Sequence, residues 1–429
     1  MPFSRRLAEI RDGFARPFWV ANLTELFERL AYYGPQAVLA IYLHEYLGLT
    51  TDQATWLIGY YGFVVWFMPI VGGAAADRFG FRPTLAGAFF FLALGNFLLG
   101  SLSASWMSGV REVLPLFALM HLLMLIPAMG PAVVKPVVVG TTARAAKEHV
   151  RTIGYSIYYT VVNVGAALGP LVASFVRTSV GVESVFRVSA VAMLAMAIVT
   201  LLFYEEPARG ADEPKVATVG QALGNLVRVL GDVRFVTFLV IFSGFWVVFW
   251  QQYISLPLYV RTYVDPQANI DRLLAVEATT VILFTFLVNY ATRKIPPFAA
   301  IIAGVLISSL SWLFLTLGSS VGFIVAALIV LAIGEVVQAP RYYEYISRLA
   351  PPGQQGLFMG YAFLPIGIGY LIAGPTAGRL LRYFGEVRKQ PHEMWYVISG
   401  AGVLTTLLLI AYDRFVRPKA GPERVGVEP

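Results

Sequence analysis

The chain has no cysteine among its 429 residues and only four histidines. Disulfides, thiol nucleophiles and cysteine-bound metal are thereby excluded, and four histidines offer little of a metal site in their place. Charge is scarce as well: Asp, Glu, Lys and Arg make up 13% of the residues, against 58% that are apolar. With a mean hydropathy of +0.69, that balance excludes a soluble globular chain and specifies an all-α membrane protein with many spans. No Ser, His and Asp constellation, metal cluster or phosphate-binding loop stands out, so no enzymatic activity is expected.

What remains is organised in apolar runs of the roughly 20 residues that cross a bilayer. They lie at 18–43, 55–76, 84–103, 112–140, 151–177 and 182–204, then at 233–262, 272–293, 296–318, 321–348, 354–383 and 393–416, twelve in all. Between the two sets, YEEPARGADEPKVATVG (204–220) breaks the pattern with acids, bases, proline and glycine and reads as a linker. The predicted organisation is an amino-terminal six-helix bundle over 1–204, a cytoplasmic linker over 205–232 and a carboxy-terminal six-helix bundle over 233–429. Lysine and arginine crowd the loops on one side: Arg78, Arg82, Arg144, Lys147, Arg151, Arg293, Lys294 and Arg348, with more in the linker and at both termini. Basic residues stay on the cytoplasmic side, so both termini are expected there, in a chain integral to the inner (cytoplasmic) membrane. Topology thus accounts for the net charge of +7 without a nucleic-acid partner. Membrane lipids are the expected surroundings and a monomer the expected state. The first apolar run carries three charges and no small-residue cleavage site, so it reads as a retained span.

Those three charges, Glu25, Glu28 and Arg29, lie in ELFERLAYYG. A charge at the bilayer centre costs ~2.5–3.5 kcal/mol on insertion scales, so together they need ~10 kcal/mol of compensation from protein or water. Positions 25, 28, 29, 32, 33 and 36 recur at three and four, which puts both carboxylates, the guanidinium, Tyr32, Tyr33 and Gln36 on one helical stripe. A working site and a purely structural ion network both fit that stripe, and the tyrosines fit packing as well as binding. Lys135 sits between Pro131 and Pro136, where a distorted helix is expected and the ammonium needs an anion across the bundle; Glu25 or Glu28 is the expected one. Glu335 stands alone in LIVLAIGEVVQAP. A carboxyl that takes up and returns a proton in such surroundings meets the requirement of a proton carrier. A zwitterion bridging Arg29 and Lys135 by its carboxylate and Glu335 by its ammonium would tie the two halves together, with Tyr32, Tyr33 and Asn163 adding neutral hydrogen bonds. A bundle-locking structural pair of Lys135 and Glu335 is the alternative. His121 reads as a hydrogen-bonded packing residue, and Arg341, Tyr342, Tyr343 and Glu344 as a gate at the cytoplasmic mouth.

Several segments resemble known families. GGAAADRFGFRPT, from Gly72 to Thr84, resembles the loop between spans 2 and 3 of major facilitator transporters, as does the layout of two six-helix bundles that rock about a central site. In that reading Gly72 and Gly73 let helices approach closely, and Asp77 forms a charge latch with Arg78 and Arg82. ELFERLAYYG resembles the first-span ExxERFxYYG motif of the proton-dependent oligopeptide transporter family, with Leu30 in place of Phe. MGPAVVKP, ending at Lys135 and Pro136, resembles that family's span 4; YYTVVNVGAALGP, from Tyr158 to Pro170, its span 5. IGEVVQAP, with Glu335 and Pro340, and the following RLAPPGQQGLFMG resemble its stretch from span 10 into span 11.

The resemblance implies a proton-coupled symporter for di- or tripeptides or peptide-like zwitterions, working by alternating access, with protons as coupling ion and no cofactor. It implies proton-coupling roles for Glu25, Glu28, Arg29, Lys135 and Glu335, and a substrate site of Arg29, Tyr32, Tyr33, Lys135, Asn163, Trp250, Glu277 and Glu335. The chain also departs from the pattern. A gating ion pair of the family is replaced by Gln36 in span 1 and Trp250 in span 7, with Gln251 aligned to the family glutamine. Losing one partner strands a buried charge at ~3–5 kcal/mol, whereas losing both removes the liability. Glu277 stands where the family has asparagine, and in the cavity it would favour amine-bearing ligands. A major facilitator antiporter exporting drugs or metabolites by proton exchange is the first alternative; a non-transporting membrane receptor or scaffold is the second.

Overall fold

The computed structural model describes residues 13–207, 231–349 and 360–417, with Gly224 and Phe358. Most of the 205–232 linker, the terminal arginines and most of RLAPPGQQGLFMG lie outside the described residues. Twelve long helical segments account for most of the rest. They are α1 (Arg16–Ile41), α2 (Thr51–Phe67, resuming as Pro69–Phe79), α3 (Phe81–Leu99), α4 (Leu116–Ala145), α5 (Arg151–Val180) and α6 (Val182–Phe203). The second set is α7 (Val233–Phe249, resuming as Gln251–Tyr259), α8 (Ile270–Thr292), α9 (Pro297–Ser311), α10 (Val321–Leu349), α11 (Leu364–Leu380) and α12 (Met394–Phe415). Helices are what such a sequence must form, because lipid offers no partner to a backbone N–H or C=O.

Among the described residues, nine helices are long and apolar enough to cross a membrane. The other three, α1, α2 and α11, carry the irregularities: charges in α1, a break at Met68 in α2, and only 17 residues in α11 before π-helical turns extend it to Val387. The distortion expected around Lys135 does not break α4, which stays helical through Pro127, Pro131 and Pro136. Pro136 has no N–H for the Ala132 carbonyl, and Gly72 of α2 packs directly onto that carbonyl. A side chain on Gly72 would fill the space the proline leaves usable.

The helices form two six-helix bundles. In the first, α1 packs against α4, α5 and α6, and α3 against α4 and α6. In the second, α9 packs on α10 and α12, α8 on α10, and α7 on α11 and α12. The bundles meet along α2 with α11, α5 with α8, and α1 with α7 and α8. At the α2–α11 seam a Cβ on Gly59 would lie 2.7 Å from the Tyr370 carbonyl oxygen, and one on Gly374 2.5 Å from that of Thr55. Only glycine permits backbones this close.

Beside the latch expected at Asp77, Arg78 and Arg82, a carboxylate from beyond α6 holds the start of α3. Glu206, just past α6, accepts the backbone N–H groups of Phe81 (2.7 Å) and Arg82 (2.9 Å) at the start of α3. A carboxylate at a helix N-terminus satisfies free donors and the helix dipole together. The Arg82 guanidinium donates to the Leu201 carbonyl and that of Arg78 lies over the Phe79 ring, while the Asp77 side chain is outside the described residues.

Candidate functional site: a cavity between the bundles

A cavity of about 280 Å³ lies where the bundles meet, with Tyr33, Lys135 and Asn163 on one wall and Trp250, Glu277 and Glu335 on the other. It opens toward the face at which α4 ends and α5 begins, since its lining residues Val139 and Tyr159 are 38% and 50% exposed. The opposite face is closed by three ion pairs, each joining one bundle to the other. Glu45 after α1 holds Arg261 after α7 at 3.0 Å, Asp52 in α2 holds Arg382 beyond α11, and Arg177 in α5 holds Asp271 in α8 at 2.8 Å. Asn269 also donates to Ser174 beside the third pair. Partners separated by 94 to 330 residues leave no signal of pairing in a sequence.

Between the cavity and that closed face stands a stack of rings. Trp250 occupies the one-residue break in α7 and stacks on Tyr370 with centroids 4.1 Å apart, flanked by Trp246 at 5.5 Å and Trp66 at 6.5 Å. Gln36 donates to the Tyr370 hydroxyl at 3.3 Å, and Gln251 donates to the Val247 carbonyl while accepting from Ser255. Stacked rings and neutral amides thus occupy the positions where the oligopeptide transporter pattern has an ion pair. Each such ring pair contributes ~0.5–1.5 kcal/mol beyond its burial.

Three charged groups surround this space. Glu25, Glu28 and Arg29 are fully buried in α1, with Arg29 Nε 2.5 Å from Glu28 and 3.4 Å from Glu25. Both acids are engaged by that one guanidinium, and neither Arg29 nor Tyr32 lines the cavity. The Glu25 carboxyl oxygens and one oxygen of Glu28 accept no hydrogen bond among the described residues. Lys135 does not pair with Glu25 or Glu28 as expected; its ammonium sits 3.5 Å from the centre of the Trp66 ring and 5.6 Å from that of Phe363, with no ion pair among the described residues. Glu335 is not alone. Glu277, from α8, lines the same cavity wall, so two carboxyls share it.

The neutral groups divide similarly. Tyr33 lines the cavity and packs edge-on against Tyr32, with Tyr253 beyond it. Asn163 donates to the Tyr159 carbonyl at 2.8 Å, a bond that leaves its amide oxygen uncommitted. Of the group expected at the mouth, Tyr343 lines the cavity, Tyr342 is buried on Phe242, and Glu344 pairs with Arg341 and Arg348. His121 accepts from the Trp56 indole at 3.0 Å while its other ring nitrogen faces the Phe117 carbonyl, as a packing residue would. Most of the larger lining residues that sequence reasoning missed are aromatic: Trp66, Tyr158, Tyr159, Trp246, Phe249, Tyr253 and Phe363. Rings make up 14% of the chain and recur in every span, so nothing in their spacing separated lining from lipid-facing ones.

A family model described as Major Facilitator Superfamily matches residues 22–266, more than half of the chain. Among curated proteins, Multidrug resistance protein MdtH of Klebsiella pneumoniae is 25% identical over 344 residues, 79% of this chain and 80% of its own length. The protein of that name from Aeromonas hydrophila is 23% identical over 396 residues, 91% of this chain and 94% of its own. Among solved structures, a POT family transporter in complex with 5-aminolevulinic acid superposes with a TM-score of 0.75 at 18% identity, over 93% of this chain and 96% of that one. A peptide transporter POT in complex with sulfate gives 0.73 at 19% identity, over 93% and 94%.

Proposed function

Because the chain belongs to the major facilitator superfamily, we propose that it carries small amine-bearing zwitterions, di- and tripeptides foremost, across the inner membrane by alternating access with protons as the coupling ion. The observation that carries this reading is the pairing of an ammonium on one cavity wall with two carboxyls on the other, Lys135 facing the space shared with Glu277 and Glu335. A ligand carboxylate is received by Lys135 and a ligand ammonium by the acid pair. Charge balance then ties ligand to proton. Glu25 and Glu28 have only Arg29 paired against two negative charges, and once the ligand carboxylate takes up the unpaired Lys135 charge, a proton on the acid whose oxygens accept no hydrogen bond relieves the excess. With the arginine-rich loops cytoplasmic, the cavity opens inward and the ion-paired face is outward. The POT structures that superpose on the chain, one bound to 5-aminolevulinic acid and one to a thioalcohol conjugated peptide, support ligands of this kind.

The test is uptake of a labelled dipeptide into proteoliposomes under an imposed inward proton gradient. Gradient-dependent accumulation is expected, reduced about tenfold or more in Glu335→Gln, as the loss of a charge-assisted contact implies. Uptake indifferent to the gradient would refute the coupling. A second reading, export of amine-bearing drugs in exchange for protons, is favoured by the aromatic walls and by the MdtH relatives. Counterflow of the labelled dipeptide against lipophilic amines separates the two: the antiporter reading requires the amines to exchange and the dipeptide not to.

A further inference from the structure

At the closed face, away from the central cavity, a second groove of about 380 Å³ lies where α2 and α4 begin and α11 ends, lined by Asp52, Trp56, Phe117, Pro375, Arg379 and Arg382. Arg379 is exposed and makes no hydrogen bond, ion pair or ring contact among the described residues. Ile372, Pro375, Arg379 and Arg382 follow one another at three and four residues, so they share one face of α11. That stripe is apolar and outward-facing at its deeper end, where Leu371 and Ile372 are 39% and 48% exposed, and Leu122 of α4 at 56% continues it on the neighbouring helix. The half-exposed Trp56, its indole fixed by His121, stands at the level where amphipathic rings mark a membrane interface. An apolar track toward the membrane midplane that ends in two guanidinium groups, one of them uncommitted, matches a phospholipid in shape and charge.

We propose that this groove binds the phosphodiester of a phospholipid from the leaflet at the closed face, with Arg379 and Arg382 on the phosphate and the acyl chains along Leu371, Ile372 and Leu122. Arg382 is also the partner of Asp52 across the α2–α11 seam. A phosphate on Arg382 competes with that carboxylate, so the bound lipid loosens one of the three ties that keep this face shut.

The full chain, purified in detergent, is titrated with phosphatidylglycerol, phosphatidylcholine, diacylglycerol and glycerol phosphate, with melting temperature as the readout and retained lipid counted by native mass spectrometry. Both phospholipids are expected to stabilise the protein, with diacylglycerol and glycerol phosphate inert. Arg379→Ala weakens phospholipid binding about fivefold, while Arg388→Ala, at the same face but held by Glu393 at 3.2 Å, leaves it unchanged. Equal binding by Arg379→Ala and the parent, or equal stabilisation by diacylglycerol, overturns the proposal. Stabilisation by glycerol phosphate alone assigns the groove to a soluble anion and overturns it too. Arg379 touches nothing that folding requires, and Arg379→Gln, which keeps a long polar side chain, provides a second variant with the same expected loss.

Discussion

An ammonium resting 3.5 Å from the centre of an indole ring keeps its charge for whatever enters the cavity, because a ring quadrupole attracts a cation without neutralising it. Lys135 therefore differs from Arg29, whose charge is spent on two buried acids. Replacing Lys135 with Gln is expected to weaken binding of a dipeptide about tenfold or more while sparing an amine with no carboxylate, as measured by competition binding. Arg29→Gln should act differently: it strands Glu25 and Glu28, costs ~3–5 kcal/mol of stability and shows as a lowered melting temperature before any ligand is added. At this scale the sequence was informative about residue type and silent about partners. Charges in apolar runs singled out Glu25, Glu28, Arg29, Lys135, Glu277 and Glu335 because their cost in lipid has to be met somewhere. Which group meets it depends on contacts between helices. That is why Lys135 is found on Trp66 rather than on an acid, and Glu335 shares its cavity wall with Glu277 rather than standing alone.

The helices themselves follow from apolar length, and each of the twelve runs read from the sequence has its helix. Their interruptions were less visible. Three prolines leave α4 continuous, as packed membrane helices can tolerate, whereas α7 breaks at Trp250, where the sequence has neither proline nor glycine. The break is where the ring stack is seated. Trp250→Ala should cost ~3–5 kcal/mol through the space it empties and should widen the cavity toward the closed face, read as a lower melting temperature together with tolerance of bulkier ligands. The α2–α11 seam gives the opposite kind of prediction. Gly374→Leu forces a side chain to within 2.5 Å of the Thr55 carbonyl, so it should separate the two helices and cost ~1–3 kcal/mol. A melting temperature equal to the parent's would show that the seam is looser than its backbone contacts indicate.

The whole molecule is shut on one face by ties between its bundles and open on the other. Glu45–Arg261 and Asp52–Arg382 are partly exposed, so each contributes up to ~1 kcal/mol, whereas Asp271 is buried behind Arg177 and weighs more. A few kcal/mol in total is the scale on which two conformations of a transporter exchange populations. A chain without cysteine allows this to be read directly. A cysteine placed at Gln36, buried beneath the stack, should react with a thiol reagent slowly in the parent and faster when Asp52→Asn and Glu45→Gln are combined. An unchanged rate would mean that the ring stack alone closes this face. None of the three ties was legible beforehand, because each joins residues in different bundles that carry no local signature of pairing.

One space receives opposite charges on opposite walls, and the melting temperature of the purified protein with a dipeptide, its N-acetylated form and its C-amidated form tests that most directly. Ligand at a hundred times its dissociation constant stabilises the fold by ~2.7 kcal/mol, enough to resolve the three compounds. The free dipeptide is predicted to raise the melting temperature and each blocked form to raise it less, with the penalty for amidation absent in Lys135→Gln and that for acetylation absent in Glu277→Gln combined with Glu335→Gln. Equal stabilisation by all three in the parent protein would contradict it.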